Sequence, residues 1–129
     1  IPISFRCQSP AVERTPEQLR EFLIELEAWI DLPPHPHLTR CLFFRTLGGQ
    51  VAVFTEFMPG GSLRDRIGRR ELDSIGLVLD VALQLAWAID ALHALGATHR
   101  DVKPGNVLLD EAWQVKLSDY SLLRARRSW

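Results

Sequence analysis

Cysteine is scarce in this chain of 129 residues, which contains only Cys7 and Cys41. Two cysteines without a CxxC spacing exclude a disulfide framework and a cysteine-rich zinc site, so we expect free thiols in a reducing, cytoplasmic compartment. A surplus of positive charge is missing too, because 15 basic and 16 acidic residues leave a formal net charge of -1. The chain therefore lacks the basic surface that nucleic acids or anionic membranes require.

Lysine is equally scarce, since Lys103 and Lys116 are the only two and arginine carries the remaining positive charge. The composition is otherwise that of a packed globular protein, with 47% hydrophobic and 24% charged residues. The chain begins at Ile1 without a charged segment leading into an apolar one. We therefore expect neither a secretory signal nor a native N-terminus at this position.

One apolar stretch, residues 75–97, is nearly long enough to span a bilayer. Four polar residues interrupt it: Asp80, Gln84, Asp90 and His93. Because carboxylates are costly inside a membrane, we expect no membrane segment here. Most of these residues, together with Asp73 and Gly76, fall on one narrow helical stripe. This pattern predicts a helix from about Asp73 to Leu95 that its own domain buries on nearly every side.

A second helix start is marked at Thr15, which can act as N-cap, with Pro16 at the first helical position and Gln18 completing a capping box. The pattern predicts a helix that continues to about Asp31. Apolar residues recur at intervals of three and four and predict its buried stripe: Leu19, Phe22, Leu23, Leu26 and Ile30. Glu25 falls on the flank of this stripe.

Runs rich in β-branched and aromatic residues predict strands at residues 3–7, 41–46 and 51–57, with residues 47–50 as a tight hairpin turn. A short helix is predicted from Ser62, and two small strands at residues 107–109 and 115–117. The order of these elements predicts an α+β fold that divides at Gly60-Gly61.

The segment from His99 to Asn106 contains the residue types that phosphoryl transfer needs. Such transfer requires a carboxylate at the acceptor hydroxyl, a cation near the transferred phosphate and oxygen ligands for magnesium. The His, Arg, Asp, Lys and Asn of this segment resemble the catalytic loop of protein kinases position by position. The resemblance implies the three roles for Asp101, Lys103 and Asn106, in that order. A polar loop turned by its Pro-Gly pair is the alternative.

The segment Asp119-Tyr120-Ser121 resembles the Asp-Phe-Gly motif of the same family. This resemblance implies that Asp119 binds magnesium together with Asn106. The position of Lys103, two residues after the catalytic aspartate, resembles serine/threonine kinases rather than tyrosine kinases. Ser121 departs from the motif, because it adds a Cβ where the family has glycine, and this puts the normal movement of the loop in doubt.

The segment from Thr55 to Leu63 resembles the kinase hinge and the start of the large lobe. The resemblance implies that Thr55 is the gatekeeper and that the backbone groups of Glu56 to Met58 contact the edge of the adenine ring. It also implies that Leu108 is the apolar floor beneath that ring.

Glu25 resembles the αC glutamate of kinases, whose partner is a lysine of the small lobe. The matching register holds Arg6 instead, and no lysine precedes Lys103. The resemblance thus implies that Arg6 and Glu25 serve the nucleotide phosphates. A planar guanidinium does not replace a compact ammonium conservatively, so weak or absent transfer stays open. The nearby His35 and His37 are expected to be link residues rather than metal ligands.

The resemblance covers essentially the whole chain and implies a partial bilobal kinase-like fold, with the small lobe at residues 1–59 and the large lobe at 60–129. It implies a serine/threonine protein kinase with ATP and Mg²⁺ as cofactors and a protein hydroxyl as acceptor. The alternative is a pseudokinase or scaffold that does not transfer phosphate. Since the glycine-rich loop and the later large-lobe helices have no counterpart, we expect the isolated chain to be inactive. Because the later large-lobe helices that normally cover the helix at residues 73–95 have no counterpart, we also expect that helix to expose apolar side chains in this chain.

Overall fold

A computed structural model describes residues 3–7, 15–47 and 50–118 of the chain. The strands are β1 (Ile3–Cys7), β2 (Cys41–Leu47), β3 (Gln50–Glu56), β4 (Val107–Leu109) and β5 (Val115–Leu117). The helices are α1 (Pro16–Ile30), α2 (Leu63–Gly68) and α3 (Ile75–Ala94). The ends that the sequence predicted for these elements agree to within about two residues, because caps and turn residues mark them locally.

The elements form two compact units. The first unit comprises Ile1–Pro33 and Arg40–Phe57, and the second comprises Pro34–Thr39 and Met58–Trp129. The break after Phe57 lies close to the domain boundary expected at residues 59 and 60. The segment Pro34–Thr39, expected to be a simple link, belongs to the second unit although it lies between two parts of the first.

The first unit is an antiparallel sheet in the order β1-β3-β2, with α1 packed against β2. Thr15 caps α1 as predicted, since its hydroxyl accepts the Gln18 N–H while the Gln18 side chain accepts the Thr15 N–H. The core of this unit is formed by residues from α1 and from both hairpin strands: Leu26, Trp29, Cys41, Val51, Ala52 and Val53. Burial raises the pKa of the Cys41 thiol to about 11.

The buried stripe predicted for α1 is wrong at its N-terminal end. Leu19 is 40% exposed, whereas the buried residues of the helix are Leu26 and Trp29. Both lie in the C-terminal half, so the first turn of α1 carries its leucine away from the core. A periodic pattern defines a face of a helix, but it does not define how far along that face a neighbouring sheet extends.

The second unit contains the capped helix α2 and the small hairpin β4-β5. The Ser62 hydroxyl accepts the Asp65 N–H, and the Asp65 carboxylate accepts the Ser62 N–H. These hydrogen bonds hold the pKa of Asp65 below its ordinary value. The core of the unit collects apolar residues from α3, both strands and the Pro34–Thr39 segment: Leu38, Val81, Ala88, Leu92, Val107, Leu109, Val115 and Leu117.

The prediction that α3 is buried on nearly every side is wrong for the described residues. Its buried residues all lie on one face: Val81, Ala88 and Leu92. Large apolar side chains are exposed elsewhere along it: Ile75, Val78, Leu79, Leu83 and Trp87. The expectation that the helix exposes apolar side chains is thus confirmed. Among the described residues, α3 is also the one helix that is long and apolar enough to cross a membrane.

Candidate active site

The candidate catalytic loop starts where α3 ends, at a Schellman motif. Gly96 has a backbone φ of 73°, a left-handed conformation that glycine adopts without a steric penalty. Its N–H donates to His93 O, and the Ala97 N–H donates to Leu92 O at 2.9 Å. These bonds satisfy the last carbonyl groups of the helix and turn the chain toward the loop.

His99 fixes the loop from inside, since it is only 4% exposed and both of its ring nitrogens are hydrogen-bonded. Its Nδ1 accepts the backbone N–H of Asp101 at 3.0 Å, so the proton of the neutral ring is assigned to Nε2. Nε2 then donates to Ser118 O at 2.6 Å. The imidazole of His99 therefore links the backbone of Asp101 to that of Ser118, the residue directly after β5.

Three predicted catalytic residues meet at the carboxylate of Asp101. Lys103 Nζ lies 3.2 Å from Asp101 Oδ2, and Asn106 Nδ2 donates to the same oxygen at 3.2 Å. The Asp101 side chain keeps 59% of its surface exposed, so its second oxygen can reach a ligand. The structure thus brings together a carboxylate, a cation and an amide, with the carboxylate facing solvent.

Asn106 is buried and fixed through both its backbone and its side chain. Its Nδ2 donates to Asp101 O and to the Asp101 carboxylate, while its own carbonyl accepts the N–H and hydroxyl of Ser118. Within the described part of the chain, Asn106 Oδ1 accepts no hydrogen bond. An oxygen left in this way suits Mg²⁺, which prefers oxygen ligands. The second predicted ligand, Asp119, lies outside the described residues.

Arg100 lies between the buried His99 and the exposed Asp101 with a backbone φ of 70°. A left-handed conformation is unfavourable for an arginine and is found where surrounding contacts determine the backbone. Here the Asp101 N–H is held by His99, and Arg100 Nε donates to the Thr98 hydroxyl at 3.4 Å. The left-handed backbone of Arg100 thus lies between a buried His99 and an exposed Asp101.

Two residues predicted to contact adenine, Met58 and Leu108, belong to the second unit. Met58 is buried, and its carbonyl accepts the Gly61 N–H at 3.3 Å. Gly60 and Gly61 then exchange backbone hydrogen bonds with Leu109, both at 2.8 Å, which hold this turn beside β4. Leu108 is half-buried in the middle of β4.

The other predicted nucleotide residues belong to the first unit. Thr55 lies opposite Cys41 and Ser4 in the sheet, and Glu56 ends β3 with its carboxylate accepting the Arg40 N–H at 2.8 Å. Glu25 is half-buried on α1. The backbone of Arg6 pairs with Val53, and the side chain of Arg6 lies outside the described part of the structure.

Sequence reasoning missed two groups that support this site. Ser118 binds the Asn106 carbonyl twice, and its only sequence signal is its position directly before Asp119. Arg66 donates to Gly60 O and Asp110 O, both at 3.1 Å, with its guanidinium 4.6 Å from the Trp113 ring centroid. Its partner Asp110 lies 44 positions further along the chain, so no local pattern pointed to this contact.

Comparisons with known proteins identify the family of the chain. The model of the family "Protein tyrosine and serine/threonine kinase" matches residues 9–128. The chain is 31% identical to the serine/threonine-protein kinase PknK of Mycobacterium tuberculosis, over 95% of this chain and 12% of that protein. It is 32% identical to ribosomal protein S6 kinase alpha-3 of Homo sapiens, over 80% of this chain and 13% of that protein. The chain therefore spans about an eighth of the length of these relatives.

The fold agrees as well. A crystal structure of Rad53 1-466 in complex with AMP-PNP matches with a TM-score of 0.77 and 26% sequence identity, over 92% of this chain and 31% of that chain. The α+β, partial kinase-like fold expected from the sequence is thus confirmed. With the family match over most of its length, the chain belongs to the protein tyrosine and serine/threonine kinase family.

Proposed function

We propose that this chain is the part of a serine/threonine protein kinase domain that carries the catalytic loop, and that the complete protein transfers the γ-phosphate of ATP to a protein hydroxyl. The observation that carries the proposal is the convergence of Lys103 and Asn106 on one oxygen of Asp101, each at 3.2 Å. The relative PknK is named a serine/threonine-protein kinase, which supports the same acceptor class.

Each of the three residues has a role that its chemistry supports. The exposed carboxylate of Asp101 orients the acceptor hydroxyl and accepts its proton. The ammonium of Lys103 is a compact charge that balances negative charge on the transferred phosphoryl group. Asn106 keeps the Asp101 backbone in place through its bond to Asp101 O at 2.9 Å.

The buried Asn106, with its unused Oδ1 facing away from its hydrogen-bonded nitrogen, fits a magnesium ligand, and Asp119 is proposed as the second one. When bound, the ion would supply positive charge that offsets the negative charge of the nucleotide phosphates. Met58, Leu108, Thr55 and Glu56 are proposed to hold the adenine ring, as the AMP-PNP complex of a similar fold suggests for a nucleotide.

The second candidate is a pseudokinase that binds nucleotide without transferring phosphate. The observation that favours it is Arg6 in the register of the family lysine, with no other lysine before Lys103. A guanidinium keeps the charge but presents a planar fork to phosphates that a point charge normally contacts. Ser121 in place of the motif glycine favours the same alternative.

The test is phosphate incorporation into a peptide by the full-length natural protein and by Asp101→Asn. We expect transfer by the wild type and a loss of about 100-fold or more in Asp101→Asn, because the group that accepts the proton is gone. Asp90→Asn, the same change at an exposed position of α3, is the matched control and should retain full activity. Binding of AMP-PNP without any wild-type transfer would instead establish the pseudokinase.

A further inference from the structure

The segment Pro34–Thr39 of the second unit lies against β5 and pairs with it through a single β-bridge. Leu38 forms a parallel bridge with Leu117. The Leu117 N–H donates to His37 O at 2.9 Å, and the Thr39 N–H donates to Leu117 O at 3.0 Å. Backbone pairing of this kind already satisfies both polar groups of Leu117, so packing alone requires nothing more of the segment.

Two buried side chains of this segment nevertheless end on carbonyl groups of β5. His37 Nδ1 lies 2.8 Å from Val115 O, and the Thr39 hydroxyl donates to Leu117 O at 2.6 Å. Thr39 is only 1% exposed. Leu117 O accepts both its N–H and its hydroxyl, so one residue supplies two donors to the same oxygen. Burying a hydroxyl is costly unless it is hydrogen-bonded, and a valine would fill the same space without that requirement. The hydroxyl thus adds a directional hydrogen bond that fixes the carbonyl group of Leu117 at the end of β5.

The end of β5 continues directly into the candidate active site. After Leu117, the N–H and hydroxyl of Ser118 donate to Asn106 O at 2.9 and 3.2 Å. Asn106 in turn donates to the backbone and the carboxylate of Asp101. Thr39 is therefore connected to the proposed magnesium ligand through two sets of hydrogen bonds, one to Leu117 O and one from Ser118 to Asn106 O, joined by the Leu117–Ser118 peptide bond.

We propose that Thr39 is a positioning residue for phosphoryl transfer, because its hydroxyl fixes the Leu117 carbonyl and thereby the Ser118 groups that hold Asn106. This role rests on the kinase function proposed above. The hydrogen bonds by which Thr39 holds Leu117 can be tested separately, because measuring them does not require phosphate transfer. The Thr39 hydroxyl is buried and donates to a backbone oxygen, so we assign it no direct contact with substrate or nucleotide.

The experiment compares the full-length natural protein with Thr39→Val, which keeps the shape of the side chain and removes only the hydroxyl. Amide hydrogen exchange at Ser118 and Asn106 should become about three- to tenfold faster, as expected for the loss of one buried hydrogen bond. The turnover number should fall by a similar factor, and the Mg²⁺ concentration for half-maximal rate should rise. A purely structural role would reduce the amount of folded protein without moving that concentration.

Two further variants make the result specific. Thr39→Ser restores the hydroxyl and should recover most of the wild-type exchange and Mg²⁺ dependence. Thr46→Val makes the same chemical change at an exposed position of β2 and should change neither. Unchanged exchange at Ser118 in folded Thr39→Val would overturn the proposal. Faster exchange combined with a wild type that transfers no phosphate would support the positioning by Thr39 and reject the proposed kinase activity.

Discussion

Adding one methyl group at Gly60 should destabilise the second unit strongly. A Cβ built at this position would lie 2.5 Å from Leu109 O and 2.6 Å from both Asp110 O and Arg66 Nη2. Carbon and oxygen atoms normally approach only to about 3.3 Å, so the neighbouring atoms would have to move by most of an ångström. Because two of them are backbone oxygens, rotation of a side chain cannot relieve the overlap.

The surrounding hydrogen bonds determine the size of the effect. Leu109 O accepts the Gly60 N–H at 2.8 Å, and Arg66 holds both Gly60 O and Asp110 O. Overpacking costs about 1–3 kcal/mol, and the Gly60 to Leu109 hydrogen bond contributes about 1 kcal/mol more. We therefore expect Gly60→Ala to lower the free energy of unfolding by about 2–4 kcal/mol.

Urea unfolding followed by far-ultraviolet circular dichroism would measure this change. Gly76→Ala is the matched control, because no heavy atom of the described residues lies within 4 Å of the Cβ it would add. Gly76 lies in the first turn of α3, where alanine should stabilise the helix by up to about 1 kcal/mol. A change of less than about 0.5 kcal/mol in the free energy of unfolding is typical of a surface substitution. If Gly60→Ala causes no more than that, the close approach of Gly60 to β4 is refuted.

Three further changes test other parts of the molecule. Arg6→Lys should raise peptide phosphorylation by the full-length protein, because a compact ammonium suits the nucleotide phosphates, and equal or lower turnover would contradict this. Burial, followed by His37 and Lys116, lowers the pKa of His35 below its ordinary value of 6.5. The unfolded chain then binds more protons, so the free energy of unfolding should fall as pH drops below about 6.5, and fall less in His35→Asn. Native Cys41 should resist iodoacetamide at pH 8, since its buried thiol stays protonated, whereas unfolded protein should react fully.

Local signals in the sequence were sufficient for the elements and for the centre of the site. Thr15, Ser62 and Gly96 mark helix ends through hydrogen bonds that reach at most a few residues. Asp101, Lys103 and Asn106 lie within six consecutive residues, so their spacing alone brings them together once the loop folds. Asp119, predicted from its motif as the second magnesium ligand, lies outside the described residues, so its role stays a prediction.

Long-range pairing explains what the sequence did not reveal. The Pro34–Thr39 segment was expected to be a link because its prolines and histidines show no strand pattern, yet Thr39 bonds to Leu117, 78 positions away. The burial of α3 was overestimated for a related reason. Its composition is apolar all round, but the described residues cover only the face of Val81, Ala88 and Leu92. Composition shows that a helix can be buried, whereas its neighbours determine which faces are.

The left-handed backbone of Arg100 has a consequence for engineering this domain. A residue with a side chain adopts such a conformation at a cost of about 1–2 kcal/mol, which glycine avoids. A screen for thermal stability should therefore favour Arg100→Gly. Glycine would also enlarge the conformational range of the residue directly before Asp101. Variants chosen for heat resistance alone would then gain stability in the assay while the carboxylate lost its fixed direction. Stabilising libraries for this chain should therefore keep residue 100 constant or pair the thermal screen with a measurement of phosphate transfer.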